Sequence, residues 1–137
     1  MSVNIKQLEA LCKNTLGTTL GMEILEAEMG KVVVTMPVGP KVHQPFGILH
    51  GGASVALAES AASLGACLSL DLEKQRAVGI EINANHIKSK QDGTLKATAV
   101  PVHLGKSTQV WEIKIVDEKG TLICISRCTL AVISTEK

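Results

Sequence analysis

The chain has 137 residues, 45% of them hydrophobic, which suffices for one domain with a sizeable core. Its 14 Lys and Arg stand against 13 Asp and Glu, for a formal net charge of +1, and one Phe, one Trp and no Tyr supply its aromatic rings. That balance gives neither the positive field nor the stacking platforms of a nucleic-acid binder, and nothing that would draw the chain to a membrane surface.

The cysteines at 12, 67, 124 and 128 form no C-x-x-C pair, and the opening MSVNIKQLEALCK lacks the apolar core of a signal peptide. They read as reduced thiols, and the expected location is cytoplasmic.

Residues 3–16 place Ile5, Leu8, Leu11 and Cys12 on one side of a helix and Lys6, Glu9 and Lys13 on the other, with Gly17 and Gly21 ending it. Two strand patterns, 22–29 and 32–38, joined by a turn at Gly30-Lys31, predict a hairpin. Val38-Gly39-Pro40 then breaks regular structure and leads through a loop to Leu49. From Gly51 to Leu70 the composition is almost wholly Ala, Ser, Gly, Leu and Val, which predicts a buried helix starting near Gly51-Gly52.

Glu59 is the only formal charge in that run. An ionised carboxylate in apolar surroundings is costly unless it is paired or used, so Glu59 is the first candidate for chemistry. Its mid-span position among Ala, Ser and Gly also argues against a transmembrane segment.

Beyond a polar connection at 71–75, residues 77–90 alternate Val78, Ile80, Ile82 and Ala84 against Glu81, Asn83 and Asn85, a strand with one polar face. Asp92-Gly93 reads as a hairpin turn into a strand at 94–103, in which Pro101 marks a bulge or an edge. A strand at 106–117 carries Trp111, Ile113 and Ile115 on one face, and 122–133, apolar on both faces, belongs inside the sheet. Helix, two strands, long helix and four strands describe a single α+β domain over 1–137, an antiparallel sheet of about six strands wrapped around the long helix.

The histidines at 43, 50, 86 and 103 lack ligand spacing and neighbouring cysteines, so no metal is expected. Gly105-Lys106-Ser107 echoes a phosphate-binding loop, but Val100 stands where that pattern requires Gly, and a strand follows where a helix should.

The run His43-Gln44-Pro45-Phe46-Gly47-Ile48-Leu49-His50-Gly51-Gly52-Ala53, followed by Glu59, resembles hotdog-fold acyl-CoA thioesterases. More narrowly it resembles the 4-hydroxybenzoyl-CoA thioesterase group, of the phenylacetate-pathway type, which carries a Glu in the central helix. The segments 81–86 and 103–112 are also similar to bacterial members. The resemblance implies that Gln44 and His50 position the thioester and that the Gly51 amide polarises its carbonyl oxygen. It implies that Glu59 is the nucleophile or the general base, and that Ser63 holds the water or the carboxylate. It further implies a dimer or a dimer of dimers with active sites at the subunit interface, and an aromatic acyl group as one option among branched and medium-chain ones.

Elementary geometry is compatible with those roles. The first amides of a helix have no internal acceptors and sit in partial positive charge, so a developing oxyanion at Gly51 is stabilised, one such donor typically being worth ~3 to 4 kcal/mol. Glu59 and Ser63 share a helix face. From Gly51 to Glu59, however, an α-helix rises about 12 Å, of which a Glu side chain recovers ~4 Å. One carbonyl would struggle to touch both, and two antiparallel copies of the helix about a two-fold axis would bring Gly51 of one to Glu59 of the other.

For the coenzyme A portion of the substrate, Lys88, Lys90, Lys106, Ser107 and Thr108 sit at strand ends where they could hold phosphates, and His86 faces either the substrate or the rim of the core. The expected activity is hydrolysis of an acyl-CoA to the free acid and coenzyme A, without metal or redox cofactor. The rivals are a hydratase or dehydratase on the same fold, which needs a second acid or base beside the substrate β-carbon, and a non-catalytic acyl-CoA binding module.

Overall fold

The computed structural model describes residues 3–136. Asn4 caps α1 (Ile5–Cys12) reciprocally, its Oδ1 accepting from the Gln7 amide while Gln7 Oε1 accepts from the Asn4 amide, both at 2.9 Å. The helix ends at Cys12 and not near residue 16, because Lys13 is extended at ψ 133° and Asn14 then turns into the left-handed region at φ 60°. Gly17 is no terminator: it lies within a further helical turn, α2 (Leu16–Thr19).

Next come β1 (Glu23–Glu28) and β2 (Lys31–Val38), the expected hairpin, turned by Gly30 at φ 86°. The long helix α3 (Gly51–Leu68) follows the loop, and then β3 (Gln75–His86), β4 (Gly93–Leu104), β5 (Thr108–Asp117) and β6 (Leu122–Ser134). All pairings are antiparallel, in the order β1-β2-β4-β5-β6-β3.

That order corrects one expectation. Asp92-Gly93 is not a hairpin turn, since β3 pairs with β6 while β4 pairs with β2 and β5. β4 carries the buried Leu95, Ala97 and Ala99 and occupies the interior, whereas β3, largely exposed, takes an edge. The 87–92 crossover is fastened by the Ile87 amide to the Ile123 carbonyl (2.8 Å) and the Leu49 amide to the Lys90 carbonyl (2.7 Å). Pro101 sits at a bulge on that interior strand.

A second bulge shifts the register of β3 against β6 between Gly79 and Glu81. The expected alternation therefore breaks: Ala77 and Gly79 precede the bulge on the helix side, and Ile82, Ala84 and His86 continue that face beyond it, opposite the buried Cys128, Ser126 and Cys124. Val78 and Ile80 point away and are 44% and 60% exposed.

The sheet curls around α3, which touches every strand and buries Ala53, Leu57, Ala58, Ala61 and Ala62. By length and composition α3 could cross a membrane, but its small apolar face is the packed core of this domain. Trp111, fully buried, lies so close to α3 that a Cβ on Gly65 would stand 2.6 Å from its ring. Its indole Nε1 donates to Gln109 Oε1, Gln109 Nε2 donates to Ser69 Oγ, and Ser69 Oγ donates to the Ala66 carbonyl, each at 2.8 Å. This chain satisfies the end of the helix and every polar atom that Trp111 and Gln109 bury. Cys124 and Cys128 are buried among apolar neighbours, and burial, with the charges of Glu59 and Glu81 adding to it, pushes the Cys128 thiol up to about 12.

Candidate active site

The loop before α3 is folded on its own polar groups. Gln44 Oε1 accepts from the Phe46 amide, the Gly47 amide donates to the Gln44 carbonyl (3.0 Å) and the Gln44 amide to the Ile48 carbonyl (2.8 Å). Gly47, at φ 78°, makes this tight reversal possible. The loop leaves the Gln44 carboxamide nitrogen unused among the described residues and Phe46 88% exposed. His43 anchors it through Nε2 to the Gln91 carbonyl at 2.8 Å.

His50 is the N-cap of α3, and its Nδ1 accepts from the Gly52 amide at 2.8 Å. The Ala53 and Ser54 amides go to the His50 carbonyl. That leaves the Gly51 amide, among the described residues, as a first-turn donor without an acceptor, at the positive end of an 18-residue helix. A Cβ on Gly51 would stand 2.7 Å from His86 Nε2, so the imidazole packs directly on this backbone. His86 thus reaches the site from the end of β3.

Gly51 and His86 line a cleft of about 260 Å³ together with Gln44, Ser54 and Lys88. Ser54 is missing from the sequence-derived set. It is fully buried with its Oγ unpartnered among the described residues, and helical spacing from Gly51 is the signal that could have found it.

Glu59 departs from expectation in one respect: it is half-buried, on the side of α3 that the sheet leaves open, with Ser60 and Ser63 similarly half-buried beside it. Its carboxylate lies against β3, where a Cβ on Gly79 would be 3.0 Å from Oε2. Ser63 and Glu59 share this open side without a hydrogen bond between them. Gly51 stands against His86, the last residue of β3, and Glu59 against Gly79, seven residues earlier on the same strand.

The residues expected at the coenzyme A phosphates divide. Lys88 is exposed at the cleft. Lys90 differs: its side chain, 12% exposed, carries an ammonium that pairs with Asp117 Oδ2 (3.2 Å) and Glu118 Oε1 (2.8 Å) inside the fold. The Glu118 hydrogen bond, followed by Asp117, holds Lys90 above its ordinary value. Asp117 is held below the usual carboxylate range first by the Thr121 amide and then by Lys90, and Glu118 first by Lys90.

Lys106, Ser107 and Thr108 lie at the β4–β5 connection, where Thr108 pairs with Ala131, whereas His86 pairs with Cys124. Those points are ~23 Å apart along β6, too far for one chain to bring both groups to one phosphate.

A six-stranded antiparallel sheet wrapped around one long helix is the hotdog architecture of thioester hydrolases. The chain belongs to the thioesterase superfamily, whose family model matches residues 46–124. It is 60% identical, over 83% of its length and 92% of the relative's, to the 1,4-dihydroxy-2-naphthoyl-CoA hydrolase of Listeria monocytogenes. The Escherichia coli protein of the same name is 49% identical over 83% of this chain and 78% of its own. Among solved structures, a thioesterase from Haemophilus influenzae superposes with a TM-score of 0.94 at 42% identity, covering 100% of this chain and 95% of that one.

Proposed function

We propose that the chain is an acyl-CoA thioesterase, one domain over 1–137, that releases a hydroxylated aromatic acid, of the 1,4-dihydroxy-2-naphthoyl kind, and coenzyme A in the cytoplasm. The observation that carries the reading is the pairing of an unsatisfied helix-end amide at Gly51 with a carboxylate at Glu59 on the open side of the same helix. The names of the Listeria and Escherichia relatives support the acyl class. Four free cysteines fit a reducing compartment.

In this mechanism Gln44 and His50 orient the thioester, the Gly51 amide binds the oxygen as it gains charge, and Ser63 holds the water or the carboxylate. Glu59 acts as nucleophile or as general base. Attack by its carboxylate expels the coenzyme A thiolate and leaves a mixed anhydride that water opens; base catalysis transfers a water proton to Glu59 as hydroxide adds to the carbonyl, and collapse of the tetrahedral intermediate breaks the C–S bond, the departing thiolate taking up the proton from Glu59. Single turnover in oxygen-18 water detects attack, because label enters the protein carboxylate only when water opens a mixed anhydride at the Glu59 carbonyl. Lys88 with His86 receives the coenzyme A moiety, and Lys106, Ser107 and Thr108 reach it only from a second copy.

The assembly is a homodimer or dimer of dimers with a composite site. β3 is an edge strand with Val78 and Ile80 exposed, and Gly79 and His86 lie toward its two ends. Two β3 strands paired antiparallel about a two-fold axis between Ile82 and Asn83 would set Gly79 of one copy opposite His86 of the other. Glu59 of one copy then meets Gly51 of the second. The deciding experiment is a thiol-release assay over a panel of acyl-CoAs with the native chain and Glu59→Gln. Turnover of aromatic acyl-CoA by the native chain alone is expected; turnover of nothing sinks the activity, and equal turnover by the variant sinks the site.

A further inference from the structure

Glu59 must hold its carboxylate in one place to act, and on the β3 side that carboxylate faces the backbone of Gly79. A Cβ built on Gly79 would stand 3.0 Å from Oε2, 3.1 Å from Cδ and 3.4 Å from Oε1. The three atoms are nearly equidistant, so the carboxylate lies face-on to Gly79 and a methyl group there would press on the whole group. Backbone conformation does not ask for glycine at 79, which is absent from the positive-φ residues. A glycine inside a strand forgoes side-chain packing and costs conformational entropy, which leaves close approach as its physical reason.

The neighbouring bulge completes the socket. Strict alternation after Ala77 and Gly79 would turn Glu81 toward α3, beside Glu59, and two carboxylates would then share one site. The register shift between Gly79 and Glu81 puts Ile82 on that face instead and leaves Glu81 exposed, where its Oε1 accepts from Asn83 Nδ2 at 2.8 Å. The extra residue thereby removes a like charge from the carboxylate.

We propose that Gly79 is a positioning residue for the hydrolysis: the side chain it lacks, at a bulge that turns Glu81 away, sets the place and plane of the Glu59 carboxylate. The inference rests on the reading of Glu59 as the reacting carboxylate. Its test is Gly79→Ala, assayed beside Glu59→Gln by thiol release on the best aromatic acyl-CoA, with melting temperature and oligomeric mass measured on the same samples.

Displacing the carboxylate by a few tenths of an ångström or more should lower kcat roughly 10- to 100-fold while KM stays within about twofold. The melting temperature should be equal or higher, because alanine suits a strand at least as well as glycine does. Native kcat in Gly79→Ala, with Glu59→Gln inactive, overturns the positioning role and spares the site. Loss of kcat together with the oligomer or the melting temperature also overturns it, since Gly79 would then act through assembly or folding. Activity in Glu59→Gln overturns the reading on which the inference stands.

Discussion

At its C-terminal end α3 passes polar groups from partner to partner: Ser69 bonds the Ala66 carbonyl and receives Gln109, Gln109 receives Trp111, and Gly65 admits the indole to its backbone. At its N-terminal end, and on the open side half-way along, groups are left over. The Gly51 amide, the Gln44 carboxamide nitrogen and the Ser54 hydroxyl lack acceptors or donors among the described residues, and the Glu59 carboxylate rests on backbone. The same helix thus contains a stretch whose polar groups are satisfied and a stretch whose polar groups are left over, the latter the one the proposed mechanism uses. Close glycine contacts occur in both, and only the polar accounting tells them apart.

Mutation should separate the two stretches, and the largest effect belongs to the open one. Glu59→Gln should cut kcat/KM by about 10²- to 10⁴-fold, the range of a general acid or base, with the melting temperature nearly unchanged. Gly65→Ala should do the reverse. With its Cβ 2.6 Å from Trp111 it overpacks the core, an expected loss of about 1–3 kcal/mol in urea unfolding, while kcat per folded molecule holds. A comparable and purely structural effect is expected of Gln109→Ala, which leaves Trp111 Nε1 without its acceptor, about 1–3 kcal/mol for a buried polar group left unpaired, while Ser69 Oγ keeps its bond to the Ala66 carbonyl.

The smallest effect is electrostatic and lies outside both stretches. Asp117 and Glu118 have folded-state pKa values below their ordinary ones, so their contribution to stability is fully present above about pH 4.3 and is lost as pH falls through the depressed values. Lys90 is shifted upward, so its contribution is complete below about pH 10.4 and is lost only above that. Thermal melts from pH 3 to 7 should therefore fall less steeply toward acid in Lys90→Met than in the native chain. Equal slopes would remove Lys90 from the acid dependence.

Much of this was legible from local pattern. The small-residue run marked α3, and the lone Glu59 and the Gly51-Gly52 start marked the candidate site on it, because composition and helix-end physics act over a few residues. What escaped depends on distant partners. The Asp92-Gly93 pair looks like a hairpin turn, yet β4 finds β2 and β5 instead of β3 because its buried face needs the interior. Lys90 looks like a phosphate ligand until Asp117 and Glu118 are folded onto it. The bulge at Gly79 follows from pairing with β6 and from Glu59 above it, neither of which the alternation of 77–90 encodes.

The central claim, that the two functional stretches of α3 act on one thioester only across two copies, is tested most directly by mixing two crippled chains. Glu59→Gln retains the Gly51 end, and Gln44→Ala/His50→Ala retains the carboxylate. Unfolded together and refolded, they form mixed dimers in which one site joins an intact carboxylate to an intact helix end. With random pairing, thiol release on aromatic acyl-CoA should recover to about a quarter of the native rate. Recovery of nothing, with mixed dimers present by mass, would mean that each chain completes its own site.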